Sequence, residues 1–345
     1  MKARFTLHGL MVLVLFMAGA TVLSAQPIFK ILAVRGDVTL KSKSVKIGQQ
    51  LAASDQLVLG KSGYISLAHK NGRTLELNKS GSYKVKDLDA KASKKTGSST
   101  SKFAKYVSTQ LTEVDDPIEF ADNRRTKMRT TGSVERAAGD EVSLWDSVLA
   151  VVGAPGEMQA LAGKEAQAIA NGDILAIVSP THTRLLGDSV AFMWHRSPAV
   201  TTYNVVVIDR ENAVVKTLST NDTVIISSVV DLGIKPGQVY YWYLQDKANP
   251  GMHSDQFALF LLEGEERVAA EEMLAGVRSD FNTEDEAIGK LILASAFEEM
   301  GLYYDALMTY RAAVGIAPDV QNYKRMYADF LKRQGMDMDA YAVYR

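Results

Sequence analysis

Near Leu262 the hydrophobic pattern of the chain changes period. Before it, apolar residues come in short runs or alternate with polar ones; after it, they recur every three to four residues. Strand-like patterns therefore dominate the first part of the chain and helix-like patterns the last, which excludes one uniform architecture. The helical part also repeats. Leu293-Ala294, Phe297, Ala306 and Tyr310 return thirty-four residues later as Tyr327-Ala328, Leu331, Ala340 and Tyr344. Thr283-x-x-Glu286 has the form of a capping box opening the first helix of a unit. Gly301 after Met300 is a C-cap, a second helix runs from Tyr303 to Ile316, and Pro318 closes the unit. With 345 residues, 47% hydrophobic and 23% charged, the chain has room for roughly two or three domains with cores of their own. The expected fold class is multidomain β plus α: a small antiparallel β domain, a β-sandwich and C-terminal α-helical hairpin repeats.

The first residues set the compartment. Lys2 and Arg4 precede an apolar run from Leu10 to Leu23, and Leu23-Ser24-Ala25-Gln26 offers a small residue at a cleavage position. That is the form of a secretory signal peptide over residues 1–25. The run is shorter than the ~18 residues of a spanning helix, and no cysteine follows it for lipid attachment. The expectation is a secreted, periplasmic protein cleaved near Ala25, with no membrane span thereafter and a formal charge of −3. An uncleaved anchor is the alternative, and the mass of the exported protein separates the two.

Residues 27–88 read as short strands punctuated by turns. Ile31–Val34, Val38–Leu40, Tyr64–Ala68, Thr74–Leu77 and Tyr83–Lys86 are the candidate strands, and Asn71-Gly72 supplies a hairpin turn. The segment resembles the FecR-like periplasmic domain through Val34-x-Gly36-x-Val38, Gly48-Gln49-x-Leu51, Asp55-Gln56-Leu57, Gly63-Tyr64-Ile65-Ser66-Leu67 and Asn71-Gly72-Arg73-Thr74-Leu75-Glu76-Leu77. The resemblance implies a β-rich sensing or docking module. In regulators of that family it relays transporter status to a sigma factor. The few residues ahead of the apolar run leave no space here for a sigma-binding segment.

Residues 89–176 read as a basic linker followed by a mixed helical segment. Eight lysines fall between Lys79 and Lys105, and Ser93–Ser101 is low in apolar content, as a flexible tether is. Such a stretch could also touch an anionic envelope polymer or lipid head groups. It lacks the aromatic interleaving of nucleic-acid binding. Phe103, Tyr106, Val107 and Leu111 fall at helical spacing. An acidic stretch from Glu113 to Asp122 meets a basic one from Arg124 to Arg129, without EF-hand spacing. Val148–Val152, a Gly-Ala-Pro-Gly turn and an alanine-rich helix near Glu157–Ala170, ended by Gly172-Asp173, complete the segment.

Residues 177–262 carry six closely spaced strand candidates. The segment looks like a fibronectin type III domain, with Trp194 on an early strand and Leu232-x-x-x-Pro236-Gly237-x-x-Tyr240-x-Trp242 near the end. Trp194, Tyr203, Tyr240 and Trp242 are expected in its core.

Residues 264–345, with their 34-residue period, resemble tetratricopeptide repeats. The resemblance implies a groove lined by the first helix of each repeat that binds a protein or peptide segment. Its residues would be Leu291, Ser295, Glu298 and Glu299 in the first repeat, and Arg325, Asp329, Lys332 and Arg333 in the second. Reversing Arg325 and Arg333 is expected to weaken capture of a partner without unfolding the domain. So short an array must also cover its end, on residues 264–281, on the sandwich, or on another chain, including a second copy in a homo-oligomer.

Catalytic signatures are missing. With no cysteine, disulfides, thiolate zinc sites, iron–sulfur clusters and cysteine nucleophiles are excluded. His69, His182, His195 and His253 form no His-Glu-x-x-His; Gly60-Lys61-Ser62 lacks the upstream glycine of a phosphate loop; there is no Gly-x-Ser-x-Gly. The sequence therefore reads as a non-enzymatic envelope scaffold, without cofactor, metal or nucleic acid, recognising an envelope protein or peptide segment. A membrane-anchored signal-relay regulator and an envelope enzyme acting on glycans are the alternatives.

Overall fold

The computed structural model describes residues 26–93, 96–112 and 162–344. The N-terminal segment 1–25, the acidic and basic stretches between 113 and 129, the 148–152 run, its turn and the start of the alanine-rich helix lie outside the described residues, as do Lys94 and Lys95. Within them the protein is a multidomain assembly of antiparallel sheets and C-terminal helices.

The first β unit holds β1 (Phe29–Arg35), β2 (Val38–Leu40), β3 (Lys43–Ser44), β4 (Gln50–Leu51), β5 (Gln56–Leu59), β6 (Tyr64–His69), β7 (Thr74–Leu77) and β8 (Gly81–Lys84). They form two sheets, β4-β1-β6-β7 and β3-β2-β5-β8. Phe29, Ile31, Ile65 and Leu67 from the first meet Val38, Leu57 and Leu59 from the second in a shared core. The β1–β6 register shifts between Ile31 and Ala33. That bulge lets three consecutive residues, Ile31, Leu32 and Ala33, all be buried, the last two against the C-terminal helices. At the β6–β7 turn only Gly72 takes a positive φ, +94°, so the turn is not the two-residue Asn-Gly form. The expected strand 83–86 also ends early. The Val85 N–H donates to the Asp55 carbonyl, and α1 (Val85–Lys91) begins there.

α2 (Ser98–Thr112) corrects the reading of Ser93–Ser101 as a tether. Thr96 and Thr100 are buried, and the Gly97 N–H donates to the Asp280 carboxylate at 2.8 Å. Small hydroxyl residues here serve packing and capping, which composition alone does not distinguish from solvation. α3 (Ala162–Asn171) ends at Gly172, whose φ is +79°.

The second β unit comprises β9 (Ile177–Ser179), β10 (Thr183–Leu185), β11 (Ser189–Trp194), β12 (Tyr203–Ile208), β13 (Val214–Thr220), β14 (Val224–Ser228), β15 (Val239–Asp246) and β16 (Phe257–Leu261). A three-stranded sheet, β14-β11-β9, faces a five-stranded one, β10-β16-β15-β12-β13, in which only β10–β16 is parallel. Trp194, Tyr203, Tyr240 and Trp242 are buried between them. Alternation divides the side chains of β15 and β16. Tyr240, Trp242, Leu259 and Leu261 face the sandwich core, while Val239, Ala258, Phe260 and Leu262 face the helices.

The helices are α4 (Gly264–Asp280), α5 (Ala287–Glu299), α6 (Tyr303–Ile316), α7 (Gln321–Arg333) and α8 (Asp337–Tyr344). α5 is buried from Ala287 to Phe297 except at Lys290. Gly289 is required there, because a Cβ would meet the Asn282 carbonyl oxygen at 1.9 Å. One apolar core joins β1, β6, α2, α4–α8 and the outer faces of the sandwich sheets. α2 is thus a structural member of that core. Leu111→Ala is expected to cost about 2–4 kcal/mol, read as a lower urea midpoint, with amide exchange of residues 98–112 accelerated.

Candidate interaction site

Residues of the first helices, α5 and α7, together with α4, make a surface that α2 covers. The apolar stripe Phe103, Ala104, Val107 and Leu111 is buried in the same core as Leu291, Ile292 and Ala328. Its ends are tied by polar contacts. Thr100 Oγ1 donates to the Asp280 carboxylate, Asn322 Nδ2 donates to the Leu111 carbonyl at 2.8 Å, and Lys30 Nζ donates to Thr112 Oγ1 at 2.8 Å. Asn322 thereby satisfies a carbonyl in the last turn that no intrahelical donor reaches.

The eight groove residues expected from sequence divide into four groups. Leu291 and Ser295 are buried, the Ser295 hydroxyl donating to the Ile292 carbonyl. Glu298 and Arg333 are brought together as a bidentate ion pair at 2.6 and 2.9 Å, joined by a bond from the Tyr310 hydroxyl to Glu298 Oε2 at 3.0 Å. Their side chains are 12% and 21% exposed. Glu299 pairs with Lys102 of α2 at 2.5 Å. Arg325, Asp329 and Lys332 are half-buried on α7. The acidic positions of α5 and the basic positions of α7 are therefore partly paired with each other and with α2.

A second junction was not foreseen. Glu76, on β7 of the first β unit, points its carboxylate at the start of α5. It accepts from the Ala287 N–H at 3.1 Å and the Ile288 N–H at 2.6 Å. The Tyr64 hydroxyl donates to Glu76 at 2.6 Å and lies 3.0 Å from the Tyr323 hydroxyl. The expected Thr283–Glu286 capping box is replaced by this contact: Glu286 is itself the residue before the helix, with no capping bond from its side chain. A distant carboxylate outcompetes the local one. Nothing in the alternation of Thr74-Leu75-Glu76-Leu77 marked it. Burial pushes the Tyr64 hydroxyl up, with Tyr323 and Glu76 adding to it, so it stays a donor. Burial also raises Glu76, and it raises Glu286 to about 7, the neighbouring Glu76 contributing.

Two histidines bond within the fold. His69 Nε2 is 2.8 Å from the Asp89 carboxylate, and His182 Nδ1 accepts from the Ala258 N–H. Among the described residues no group of three or more His, Asp or Glu could hold a metal ion, and no helix is long and apolar enough to cross a membrane. A cavity of about 250 Å³ at one end of the sandwich is lined by Ala199, Thr201, Thr202, Asp246, Lys247 and Ala248. No protein-family model matches the chain, and no curated protein matches it in sequence.

Two outcomes are expected. Charge reversal at Arg333 would set two carboxylates side by side under cover, so Arg333→Glu should destabilise by about 3–5 kcal/mol in urea unfolding, contrary to the expectation that this position can be reversed freely. For Glu286, the folded value near 7 exceeds the ordinary 4.5. The folded state binds its proton more tightly, so that stability is fully present below pH ~4.5 and lost as pH rises through ~7. Glu286→Gln should therefore gain stability over the unsubstituted protein between pH 5 and 8, measured as a growing difference in urea midpoints; a constant difference refutes it.

Proposed function

We propose that the protein is a non-enzymatic, exported envelope scaffold whose helical array recognises an amphipathic protein segment. The observation that carries this reading is α2 itself: the faces of α5 and α7 hold a helix by an apolar stripe, with polar contacts at its ends. That is helix-in-groove recognition, practised within one chain. Helix pairs α5–α6 and α7–α8, with buried Ala294, Ala306, Ala328 and Ala340 at the 34-residue interval, support the tetratricopeptide-like reading. Two facing sheets around Trp194 and Trp242 support the fibronectin type III-like one, and the paired sheets of the first β unit support a FecR-like docking module. In this reading an envelope protein or peptide segment enters by replacing α2 or extending its contacts, and export follows cleavage near Ala25.

A labelled peptide of residues 98–112 tests the groove. It is expected to bind a chain carrying Phe103→Ala and Leu111→Ala at least about tenfold more tightly than the unsubstituted chain, where α2 competes at high effective concentration. Equal failure to bind both, with the variant folded by circular dichroism, sinks the proposal.

A further inference from the structure

Charge is segregated along the chain. Residues 27–93 carry twelve Lys and Arg against five Asp and Glu, whereas residues 162–344 carry fifteen against twenty-five. Much of the positive charge lies about the sheet β3-β2-β5-β8. Its register places Leu57 and Leu59 in the core, so the alternate residues Gln56 and Val58 face outward. Across the sheet from them lie Thr39 on β2 and Lys84 and Ser82 on β8. Lys41 lies in the β2–β3 turn and Lys46 follows β3, whereas Lys43, opposite Leu40 in the register, sits at the edge on the inner side of the sheet. Lys41 pairs with the buried Asp55 at 2.9 Å, its own side chain remaining 75% exposed. Lys43, Lys46 and Lys84 are exposed, with no carboxylate partner among the described residues. Two exposed aliphatic side chains sit among them, Val58 at 47% and Ile47 at 36%.

This surface is an open face about 14 Å across its four strands. Such a face suits an extended array of negative charges. Lysines interspersed with exposed aliphatics are the composition by which proteins rest on an anionic bilayer, ammonium groups at the phosphates and aliphatic groups at the acyl boundary. We propose that the outer face of the β3-β2-β5-β8 sheet docks on a phospholipid surface rich in anionic head groups. The acidic remainder of the chain is repelled by the same surface, which orients the sandwich and helices away from it. This docking is independent of what the helical array binds.

The test uses the chain from Gln26 onward, free of the apolar N-terminal run, with two kinds of vesicle: phosphatidylglycerol and phosphatidylcholine in equal parts, and phosphatidylcholine alone. Co-sedimentation is expected with the anionic vesicles only, weakening at least tenfold as NaCl rises from about 50 to about 300 mM. Lys46→Glu and Lys84→Glu together should weaken it about tenfold or more, and Val58→Asp several-fold. Thermal melts confirm that the variants fold; should the double variant not fold, the lipid preference and salt dependence of the unsubstituted chain decide. Equal binding to both vesicles, binding to neither, or a folded double variant that binds unchanged overturns the proposal. Soluble polyphosphate that binds as tightly as the vesicles, with Val58→Asp without effect on either, overturns it too, in favour of a dissolved polyanion.

Discussion

A helix buried along nearly all its length cannot leave its first-turn N–H groups to water, and α5 is such a helix. Its neighbours are the first β unit, α2, α4 and the other helices, and it carries no charge between Lys290 and Glu298. Each unsatisfied N–H under cover costs about 1–3 kcal/mol. The Glu76 carboxylate satisfies two at once, with negative charge at the positive end of the helix dipole. Because the carboxylate arrives from β7, the cap joins the first β unit to the array. The helix that organises the C-terminal half is therefore completed only by a residue from the N-terminal half.

The same dependence explains why α2 covers the first-helix faces. The pairs α5–α6 and α7–α8 share their core with α2, which lies against α4, α5 and α7 on one side and β1 on the other. The sandwich closes the opposite flank with the alternate residues of β15 and β16, and α8 lies against α3 and, through His195 and Asp339, the sandwich. Of the ways the short array could cover its end, the described residues show these contacts within one chain.

Patterns that depend on period were readable in the sequence. β11–β16 and α5–α7 lie where apolar runs, alternation and helical spacing put them, because the burial of each is written locally. β9 and β10 escaped notice; strands of three residues around Pro180 have too little length to show a period. The errors share a cause. Ser93–Ser101 had the composition of a tether, yet Thr96 bonds to the Asn71 carbonyl of the first β unit and Thr100 to Asp280, 180 residues away in sequence. Thr283-x-x-Glu286 had the letters of a capping box, yet a buried glutamate from another unit takes the donors. Of the residues expected to line a groove, the 34-residue interval gave the places on α5 and α7. That α2 would lie against α5, and that Glu298 would find Arg333, it did not show.

The Glu298–Arg333 pair bears on what the array can accept. It lies where α5 meets α7, capped by the Tyr310 hydroxyl, with Tyr106 of α2 close enough for the pair to act on its hydroxyl. A largely covered ion pair of this kind adds little net stability relative to apolar residues of similar volume, because desolvation offsets the attraction. Its effect is on geometry: two parallel N–H···O bonds hold the two first helices in one register. The middle of the surface on which α2 rests is therefore apolar beside this fixed ion pair, with Asp280, Asn322 and Glu299 meeting α2 elsewhere. α2 brings a tyrosine, amphipathic enough to bury its ring and leave its hydroxyl among charges, and it brings Lys102 to Glu299 at the rim. The order of apolar, amphipathic and cationic positions along α2 thus matches the order of groups it meets on α4, α5 and α7.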